Sequence, residues 1–364
     1  MKIKEIVDAL ERFAPLPLQD GFDNAGLQVG LTEVEAAGAL LCLDVTEEVI
    51  DDAIKQGCNL IVSHHPLIFH ALKHITGDSY IQRCVMKAVK HDIAIYSAHT
   101  NLDNAPGGVN DMMAQKLGLK IISRLQPKNS SLLKVVTFVP SDYADKVRKA
   151  LFDAGCGHIG NYDSCSYNLK GEGSFRALEG THPFCGNQGE LHHESEVRIE
   201  TIVPVYLKNK AIRALLESHP YEEPAYDFYP LANSWNQVGS GAISAFDKPV
   251  EDIIFFEHVK KTFNLTSLRY NVLPGKMIKT VALCGGAGSF LIPEAVRSGA
   301  DLFLTGEIKY HEFFGYEKDI ILMEIGHYES EQYTSEIFRR IIKELNPALK
   351  TIITNVNTNP IKYF

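Results

Sequence analysis

Residues 39–66 read ALLCLDVTEEVIDDAIKQGCNLIVSHHP. Two short apolar runs, 39–45 and 59–63, flank a stretch at 47–56 whose apolar residues recur every three or four positions. Nearly continuous apolar runs are typical of strands covered on both faces, and the intervening spacing predicts a helix. The stretch therefore predicts a strand–helix–strand unit with parallel strands.

The same alternation continues on both sides of this unit. A helical pattern at 78–91 leads to a third apolar run at 93–98. Near the C-terminus, further apolar runs lie at 280–284, 301–305 and 320–325, with helical patterns at 290–298, 309–317 and 329–345. The sequence therefore predicts an α/β fold built from two βαβαβ-type halves.

The two halves also resemble each other in sequence. An offset of 242 residues places Leu41-Cys42 on Leu283-Cys284 and needs no gap as far as Ser63 and Thr305. The third strands align with an offset of 228, which places His99 on His327 and Asp103 on Glu331. We interpret this as an internal repeat, which predicts the same strand order in both halves and a pseudo-twofold axis between them.

The segment between the halves has a different pattern. Strands are predicted at 134–139, 162–167, 196–203 and 225–229, and helices at 143–154 and 208–218. This β-α-β-β-α-β order is that of a ferredoxin-like α+β module, with the glycines of 171–189 in or beside the connection of the middle strands. We therefore predict one discontinuous α/β domain, residues 1–126 and 237–364, with residues 127–236 inserted as a second domain.

Composition excludes several classes of protein. The net charge of −9 argues against general nucleic-acid binding, which needs a basic surface. No apolar run is long enough to cross a bilayer, and residues 1–13 read as an amphipathic helix rather than a signal peptide. The seven cysteines are scattered without a CxxC pair, which favours buried thiols in a reducing cytoplasm.

Polar residues collect at the predicted carboxyl ends of the strands, where open α/β sheets bind their ligands. They are Asp44, His64-His65, His99 with Asp103, Gly285-Gly286, Gly306-Glu307 and Gly326-His327. His64 and His65 are adjacent, so their imidazoles converge poorly on one ion and more readily serve two. His327 and Glu331 are four residues apart on a predicted helix and share a face.

Each of these motifs also has an ordinary structural explanation. The histidines would then be half-buried residues after a strand, Asp103 would organise a turn, and Glu331 would favour the start of a helix. Taken together, they supply three imidazoles and two carboxylates, which suit divalent ions. Such a set predicts two ions that share Glu331, with His65 and Asp103 on one ion and His64 and His327 on the other.

Other polar residues allow two interpretations. His99 is a candidate catalytic proton carrier or a residue that orients Asp103. Asp44 either supports the site or caps the helix at 47–56, and Asp23-Asn24 shapes a loop nearby. The segment CGGAGS at 284–289 either holds a phosphate or forms a tight turn, and the turn is favoured. His192-His193-Glu194 resembles a metal motif, but we interpret it as a solvated segment.

These stretches together resemble the GTP cyclohydrolase 1 type 2 homolog family, also called NIF-three-like proteins. The matching segments are GFDNAGLQVG, NLIVSHHPLIF, YSAHTNLDNAPGGVND, ADLFLTGEIKYHE and GHYESE, which span residues 21–331. The resemblance implies a dinuclear metal centre of zinc, iron or manganese whose ligands are His64, His65, Asp103, His327 and Glu331. It also implies a toroidal homohexamer, and an insertion similar to PII or CutA proteins at residues 127–236.

The reaction remains open between two classes of function. One is a metal-dependent hydrolase acting on GTP or a related nucleotide or phosphoester, with ring opening and formate release. The other is a metal-binding regulatory hexamer whose inserted domain senses a small effector. The chain lacks a GxxxxGK[ST] phosphate loop, which weighs mildly against a dedicated triphosphate pocket.

Overall fold

A computed structural model describes residues 1–272 and 275–362 of the chain. Its strands are β1 (Gly26–Val29), β2 (Ala39–Cys42), β3 (Leu60–Ser63), β4 (Ala94–Ser97), β5 (Lys120–Lys128), β6 (Leu132–Pro140), β7 (Ser166–Arg176), β8 (Leu191–Pro204), β9 (Tyr226–Pro230), β10 (Trp235–Glu251), β11 (Arg269–Tyr270), β12 (Met277–Cys284), β13 (Leu302–Thr305), β14 (Ile321–Glu324) and β15 (Thr351–Ile353). Its α-helices are α1 (Ile3–Phe13), α2 (Glu47–Gln56), α3 (Tyr80–Lys90), α4 (Thr100–Asn104), α5 (Val109–Lys116), α6 (Ala144–Asp153), α7 (Lys208–Ser218), α8 (Asp252–Thr262), α9 (Ile292–Arg297), α10 (His327–Glu331) and α11 (Thr334–Leu345).

The fold is a mixed α/β architecture, as predicted. The chain forms two compact units, one of residues 1–126 and 237–364 and the other of residues 127–236. The larger unit contains two sheets, each with three consecutive parallel strands, and the smaller unit contains one antiparallel sheet.

The two sheets of the larger unit share a strand order. The first runs β1-β4-β3-β2-β15 and the second runs β11-β14-β13-β12-β10-β5. In each, three consecutive strands are parallel, and a short antiparallel strand (β1 or β11) pairs with the third of them. The sheets differ beyond β2 and β12, where β15 is parallel to its neighbour and β10 is antiparallel. The common order is the one that the internal repeat predicts.

The strand registers refine that repeat. Ala39 pairs with Leu60 in the first sheet and Val281 with Leu302 in the second, so the offset of 242 holds for both strands. Leu60 pairs with Ala94, and Leu302 pairs with Ile321, which gives an offset of 227 for the third strands. The aligned offset of 228 was therefore wrong by one residue.

The corrected offset changes which polar residues correspond. Helices α4 and α10 coincide at 227, so Asn104 is the counterpart of Glu331, and Asp103 is the counterpart of Ser330. His99 and Gly326 each immediately precede their helix. Asp103 and Glu331 thus come from neighbouring positions on equivalent helices, and the predicted twin His-x-x-x-acid pattern is not an exact structural repeat.

Two predicted helices of the second half are shorter than expected. Residues 309–317 contain only a 3-10 turn at Tyr310–Phe313, which ends where Phe314 takes extended backbone with a ψ of 147°. The helix predicted over 329–345 is divided into α10 and α11. The hydroxyl of Thr334 donates to the carbonyl of Glu331 at 2.5 Å, a side-chain bond that competes with the helical pattern there.

The smaller unit has the element order β-α-β-β-α-β, and its sheet runs β7-β8-β6-β9. Its second strand was predicted at 162–167, but β7 begins at Ser166, after Ser164 takes a φ of +54°. Gly171 and Gly173 lie inside β7 and pair with Glu196 and Glu194 of β8. These two glycines therefore lie beside the connection of the middle strands rather than in it, which is one of the two places that the prediction allowed.

Burial of the central strands stabilises the larger unit. Every residue of β2, β3, β4 and β13 is buried, and most of these side chains are aliphatic. Complete burial of one Val, Leu or Ile side chain contributes about 1.5–3 kcal/mol. The described residues include no helix that is long and apolar enough to span a membrane. All seven cysteines are free thiols, and five are buried.

Candidate metal centre

The carboxyl ends of the parallel strands in both sheets of the larger unit meet at one cluster of side chains. His64 and His65 follow β3, and Asp103 lies on α4 after β4. His327 and Glu331 lie on α10 after β14 of the other sheet. We call these five residues the Glu331 cluster. Segments that are far apart in the chain thus reach the same point, as the strand-end pattern predicted.

The turn after β3 presents two neighbouring imidazoles side by side. The backbone amides of His64 and His65 both donate to the carbonyl of Leu43, at 3.2 and 3.0 Å. The Ser63 hydroxyl donates to the carbonyl of His65 at 2.9 Å, which tightens the turn. The two rings therefore leave strand alternation and lie with centroids 4.9 Å apart.

Glu331 divides the cluster into two groups of donor atoms. Its Oε1 lies 3.6 Å from Nε2 of His64, which is 3.7 Å from Oδ1 of Asp103. Its Oε2 lies 3.0 Å from Nε2 of His65 and 3.2 Å from Nε2 of His327. Each oxygen of one carboxylate thus faces a separate group of ligand-type atoms.

The grouping differs from the one expected from the sequence. His64 shares its group with Asp103, and His65 shares its group with His327, whose Nε2 lies 3.3 Å from that of His65. The expected pairing of His65 with Asp103 and His64 with His327 was therefore wrong. Strand alternation determines only that adjacent residues diverge, and it does not determine toward which partner each one turns.

All three imidazoles of the cluster are held in the same way. Nδ1 of His64 hydrogen-bonds to the carbonyl of Ala98 at 2.8 Å. Nδ1 of His65 hydrogen-bonds to Asp44 at 2.7 Å, and Nδ1 of His327 hydrogen-bonds to Glu307 at 2.8 Å. An acceptor on Nδ1 places the proton there and leaves the Nε2 lone pair directed into the cluster, which is the tautomer that binds a metal.

Two atoms of the cluster are buried without a partner among the described residues. They are Nε2 of His64 and Oδ1 of Asp103. A buried polar atom without a hydrogen bond costs about 1–3 kcal/mol, and folded proteins rarely tolerate one. Both atoms belong to the same donor group, so a divalent cation between them would satisfy both. The residues present therefore fit a metal ion.

The electrostatics of the cluster show strongly interacting groups. Burial, with the charge of Glu331, raises the pKa of Asp103 to about 8. Burial alone would lower the pKa of His65, but hydrogen bonds with Asp44 and Glu331 raise it to about 10. Burial also opposes ionisation of Glu331, but His64 and His327 hold its pKa well below the usual range. Without a cation, protons on His65 and His327 offset the buried carboxylate charge.

His99 lies beside the cluster and is oriented by Asp23. Its Nδ1 hydrogen-bonds to Asp23 Oδ1 at 2.7 Å, and its ring centroid is 5.3 Å from that of His64. The Thr100 amide and hydroxyl also donate to Asp23, whose pKa falls to about 2 because these bonds and His99 outweigh its burial. Asp23 thus does more than shape a loop, and His99 faces the cluster rather than orienting Asp103.

The CGGAGS segment forms a tight turn against the cluster. The Gly286 amide donates to the Ser330 hydroxyl at 3.0 Å, and the Gly288 amide donates to the Thr305 hydroxyl at 3.1 Å. Because these amides already have partners, the turn interpretation is preferred over a phosphate site. A Cβ on Gly286 would lie 2.4 Å from Oε1 of Glu331, so glycine is required for this approach.

Of the two roles predicted for Asp44, the structure shows the supporting one, whereas other supporting residues were not foreseen from the sequence. Asp44 bonds to His65, whereas α2 is capped by Thr46, whose side chain accepts from the Val49 amide. The Thr358 hydroxyl donates to Asp44 at 2.6 Å, from a segment that carries no motif. Glu307 was noticed at a strand end, but no spacing indicated that it would hold His327. Hydrogen-bond partners of this kind cannot be predicted from local sequence, because they depend on how the strands and loops pack together.

Residues 192–194, which are predicted to be a solvated segment, lie within β8. His192 and Glu194 alternate onto one face of the strand and hydrogen-bond at 3.0 Å. His193 points the other way and bonds to Glu172 at 2.9 Å. The side chains of His192 and Glu194 are each 27% exposed, so they are more enclosed than a solvated segment would be.

Comparisons with known proteins match nearly the whole chain. The model of the Duf34/NIF3 (NGG1p interacting factor 3) family matches residues 1–360. A protein of Halalkalibacterium halodurans named GTP cyclohydrolase 1 type 2 homolog is 41% identical over 363 residues, covering 98% of each chain. A Bacillus subtilis protein of the same name is 36% identical, covering 99% of this chain and 98% of its own. The crystal structure of a Bacillus cereus protein related to NIF3 is 37% identical with a TM-score of 0.87, covering 100% of this chain and 99% of that one.

Proposed function

Because the chain belongs to the Duf34/NIF3 family, we propose that it binds two divalent metal ions at the Glu331 cluster and uses them in hydrolysis. The ions would be zinc, iron or manganese, all of which accept imidazole and carboxylate ligands. Paired divalent ions supply Lewis acidity, which polarises a substrate oxygen and lowers the pKa of water.

The division of donor atoms by Glu331 carries this proposal. One oxygen faces His64 and Asp103, and the other faces His65 and His327. A carboxylate whose oxygens face two donor groups is suited to bridge two cations. The buried, unpartnered atoms of His64 and Asp103 also support a cation, because hydrogen bonds of the described residues do not satisfy them.

The protein side chains around the cluster have distinct proposed roles. Asp44 and Glu307 hold the Nδ1 protons of His65 and His327, so that the inward Nε2 atoms would be the metal donors once a cation displaces their protons. His99 is the proposed proton carrier, because its Nδ1 is held by Asp23 and its ring lies against both His64 and His65. Its side chain is 16% exposed, so it has limited contact with solvent.

GTP is the first substrate to test, because two relatives carry the name GTP cyclohydrolase 1 type 2 homolog. In the proposed reaction one water adds to C8 of the guanine ring and the imidazole ring opens to a formamide. A second water then hydrolyses that formamide, so that C8 leaves as formate and the nitrogen that held it becomes an amine. His99 would transfer a proton during ring opening. A related nucleotide or phosphoester would require the same activation of water.

The test is a metal-resolved assay on the full-length protein. Apoprotein loaded separately with Zn²⁺, Mn²⁺ or Fe²⁺ is incubated with GTP, and formate and pterin release are measured alongside metal content. We expect two ions per chain that depend on the Glu331 cluster, and formate release with at least one metal. His64→Ala should lose both, whereas His91→Ala, which replaces an exposed histidine, should retain both.

The outcomes separate metal binding from catalysis. Binding of two ions without turnover of GTP, other nucleotides or phosphoesters above the His64→Ala background would reject the hydrolase and favour a metal-binding regulatory protein. Failure to bind two ions would reject the metal centre itself. The resemblance also supports assembly into a toroidal homohexamer, which analytical ultracentrifugation of metal-loaded and metal-free protein would test.

A further inference from the structure

A second group of metal-ligand side chains lies in the smaller unit. Cys185, on the connection between β7 and β8, approaches His192 and Glu194 of β8. One ligand atom from each of these residues lies within 4.8 Å of the other two. The Nε2 of His192 is 3.0 Å from Oε2 of Glu194, whose carboxylate also interacts with the Cys185 thiol. We call these three residues the Cys185 site.

The backbone explains how the three side chains meet. Residues 192 and 194 are two apart on a strand, so both side chains lie on the same face of the sheet. The connection carrying Cys185 folds back over that face and passes His192 at Gly186. A Cβ on Gly186 would lie 2.8 Å from the His192 ring, and its φ is +76°, so glycine permits this close approach.

Nearby aromatic residues enclose the site and connect it to a cavity. The ring of Phe175 lies 5.3 Å from that of His192, and the hydroxyl of Tyr221 is 3.9 Å from the Cys185 sulfur. Both aromatic residues also line a cavity of about 660 Å³ in the same unit. The Cys185 site thus lies beside a partly open pocket large enough for a small molecule.

We propose that Cys185, His192 and Glu194 form a second metal site, distinct from the Glu331 cluster, which binds one Zn²⁺ ion. Thiolate, imidazole and carboxylate are the three side-chain ligands that zinc uses in proteins. Bonds of about 2.0–2.3 Å place tetrahedral ligands roughly 3.5 Å apart, so ligand atoms that already lie within 4.8 Å of one another need only small side-chain movements to bind one ion. Three protein ligands leave one tetrahedral position for water or an anionic ligand.

Cobalt titration of the full-length protein tests this site directly. Co²⁺ replaces Zn²⁺ and gives a near-ultraviolet charge-transfer band when a thiolate binds it. The Glu331 cluster offers only nitrogen and oxygen donors, so ions bound there do not produce the band. We expect a thiolate–cobalt band whose plateau intensity corresponds to one cobalt ion per chain, whatever cobalt the Glu331 cluster takes up, and which disappears when excess Zn²⁺ is added.

Variants with matched controls assign the band to residues. Cys185→Ser should abolish it, whereas Cys165→Ser, which replaces the other partly exposed thiol, should retain it. His192→Ala should weaken cobalt binding at least tenfold, whereas His193→Ala should not, because His193 lies on the opposite face and bonds to Glu172. Circular dichroism of each variant checks the fold, and Glu194→Gln replaces Cys185→Ser if that variant does not fold.

Two results would overturn the proposal. One is the absence of a thiolate–cobalt band from folded wild-type protein at saturating Co²⁺. The other is a band that persists in folded Cys185→Ser or responds equally to His192→Ala and His193→Ala. Neither result depends on whether the Glu331 cluster is a metal centre or a hydrolase, because the band reports only thiolate ligation.

Discussion

The hydrogen bond between Asp44 and Nδ1 of His65 is a sensitive point of the proposed metal centre. Asp44 fixes the tautomer of His65, and the Thr358 hydroxyl in turn holds Asp44. Asp44→Asn removes the charge that favours a proton on Nδ1, and it allows the amide to donate instead. We expect roughly 10- to 100-fold weaker metal binding, as is typical when a partner of a metal-binding histidine is altered. Competition with a chromophoric chelator measures this affinity.

Asp247→Asn is the matched control for this substitution. Asp247 and its partner Lys120 are both highly exposed, so their ion pair should contribute little to stability and nothing to the site. Equal metal affinity in Asp44→Asn, Asp247→Asn and wild-type protein would show that His65 does not need its carboxylate partner. A loss in Asp44→Asn alone would support the proposed role.

At the residue scale, the sequence predicted the cluster better than its internal arrangement. Strand ends and residue types were sufficient to bring His64, His65 and Asp103 together with α10, because parallel strands end at one edge of a sheet. Which histidine faces Asp103 depends on the turn that the Leu43 carbonyl holds. That bond joins residues separated along the chain, and no local pattern encodes it.

At the scale of elements, the helices of the second half show where local pattern is insufficient. Periodic apolar residues predicted one helix over 329–345, but the Thr334 hydroxyl bonds the Glu331 carbonyl and the chain restarts as α11. The break ends α10 immediately after Glu331. The short helix positions the Glu331 carboxylate, because Glu331 lies one helical turn after His327.

The turn between β12 and α9 gives a test at this scale. Gly286 has a φ of +61°, and a Cβ there would lie 2.4 Å from Glu331 Oε1. Gly299 has a φ of +71°, and a Cβ there would have no heavy atom within 4 Å. Both Gly→Ala variants should lose about 1–2 kcal/mol of unfolding free energy, because alanine disfavours left-handed backbone. Only Gly286→Ala should also displace the carboxylate and weaken metal binding.

Urea unfolding and metal titration of the same two variants separate these effects. Similar losses of stability with a metal defect confined to Gly286→Ala would support a bridging carboxylate held against the turn. Equal metal binding by Gly286→Ala and Gly299→Ala would show that the position of Glu331 Oε1 is not critical. Because Gly286 and Gly299 both have left-handed backbone, any difference between the two variants reports the contact of the methyl group added by Gly286→Ala with Glu331.

At the scale of the whole molecule, the predicted α/β architecture follows from apolar runs that only a sheet covered on both faces can bury. The internal repeat is seen in the structure as the same order of the central strands in both sheets of the larger unit. The boundaries between the two compact units lie where the pattern of apolar residues along the sequence changes. The sequence did not predict β15 beside β2, or β5 and β10 beyond β12. These edges are joined by contacts between distant segments, whose pairing has no local signal.

The proposed boundaries of the insertion lead to the last prediction. β5 and β10 are neighbours in the second sheet, and Arg124 Nε donates to the carbonyl of Gln237 at 3.0 Å. The points where the chain leaves and re-enters the larger unit are therefore close together, so a short Gly-Ser linker can replace residues 127–236.

We expect the shortened chain to retain a cooperative thermal transition and the same metal content per chain at the Glu331 cluster, since all five of its side chains remain. It should lose the thiolate–cobalt band, because Cys185, His192 and Glu194 are removed. Calorimetry and metal analysis, with linkers of two lengths as controls for strain, measure these properties. Non-cooperative unfolding with both linkers would show that the larger unit depends on the insertion, and a retained cobalt band would place the thiolate ligand outside it.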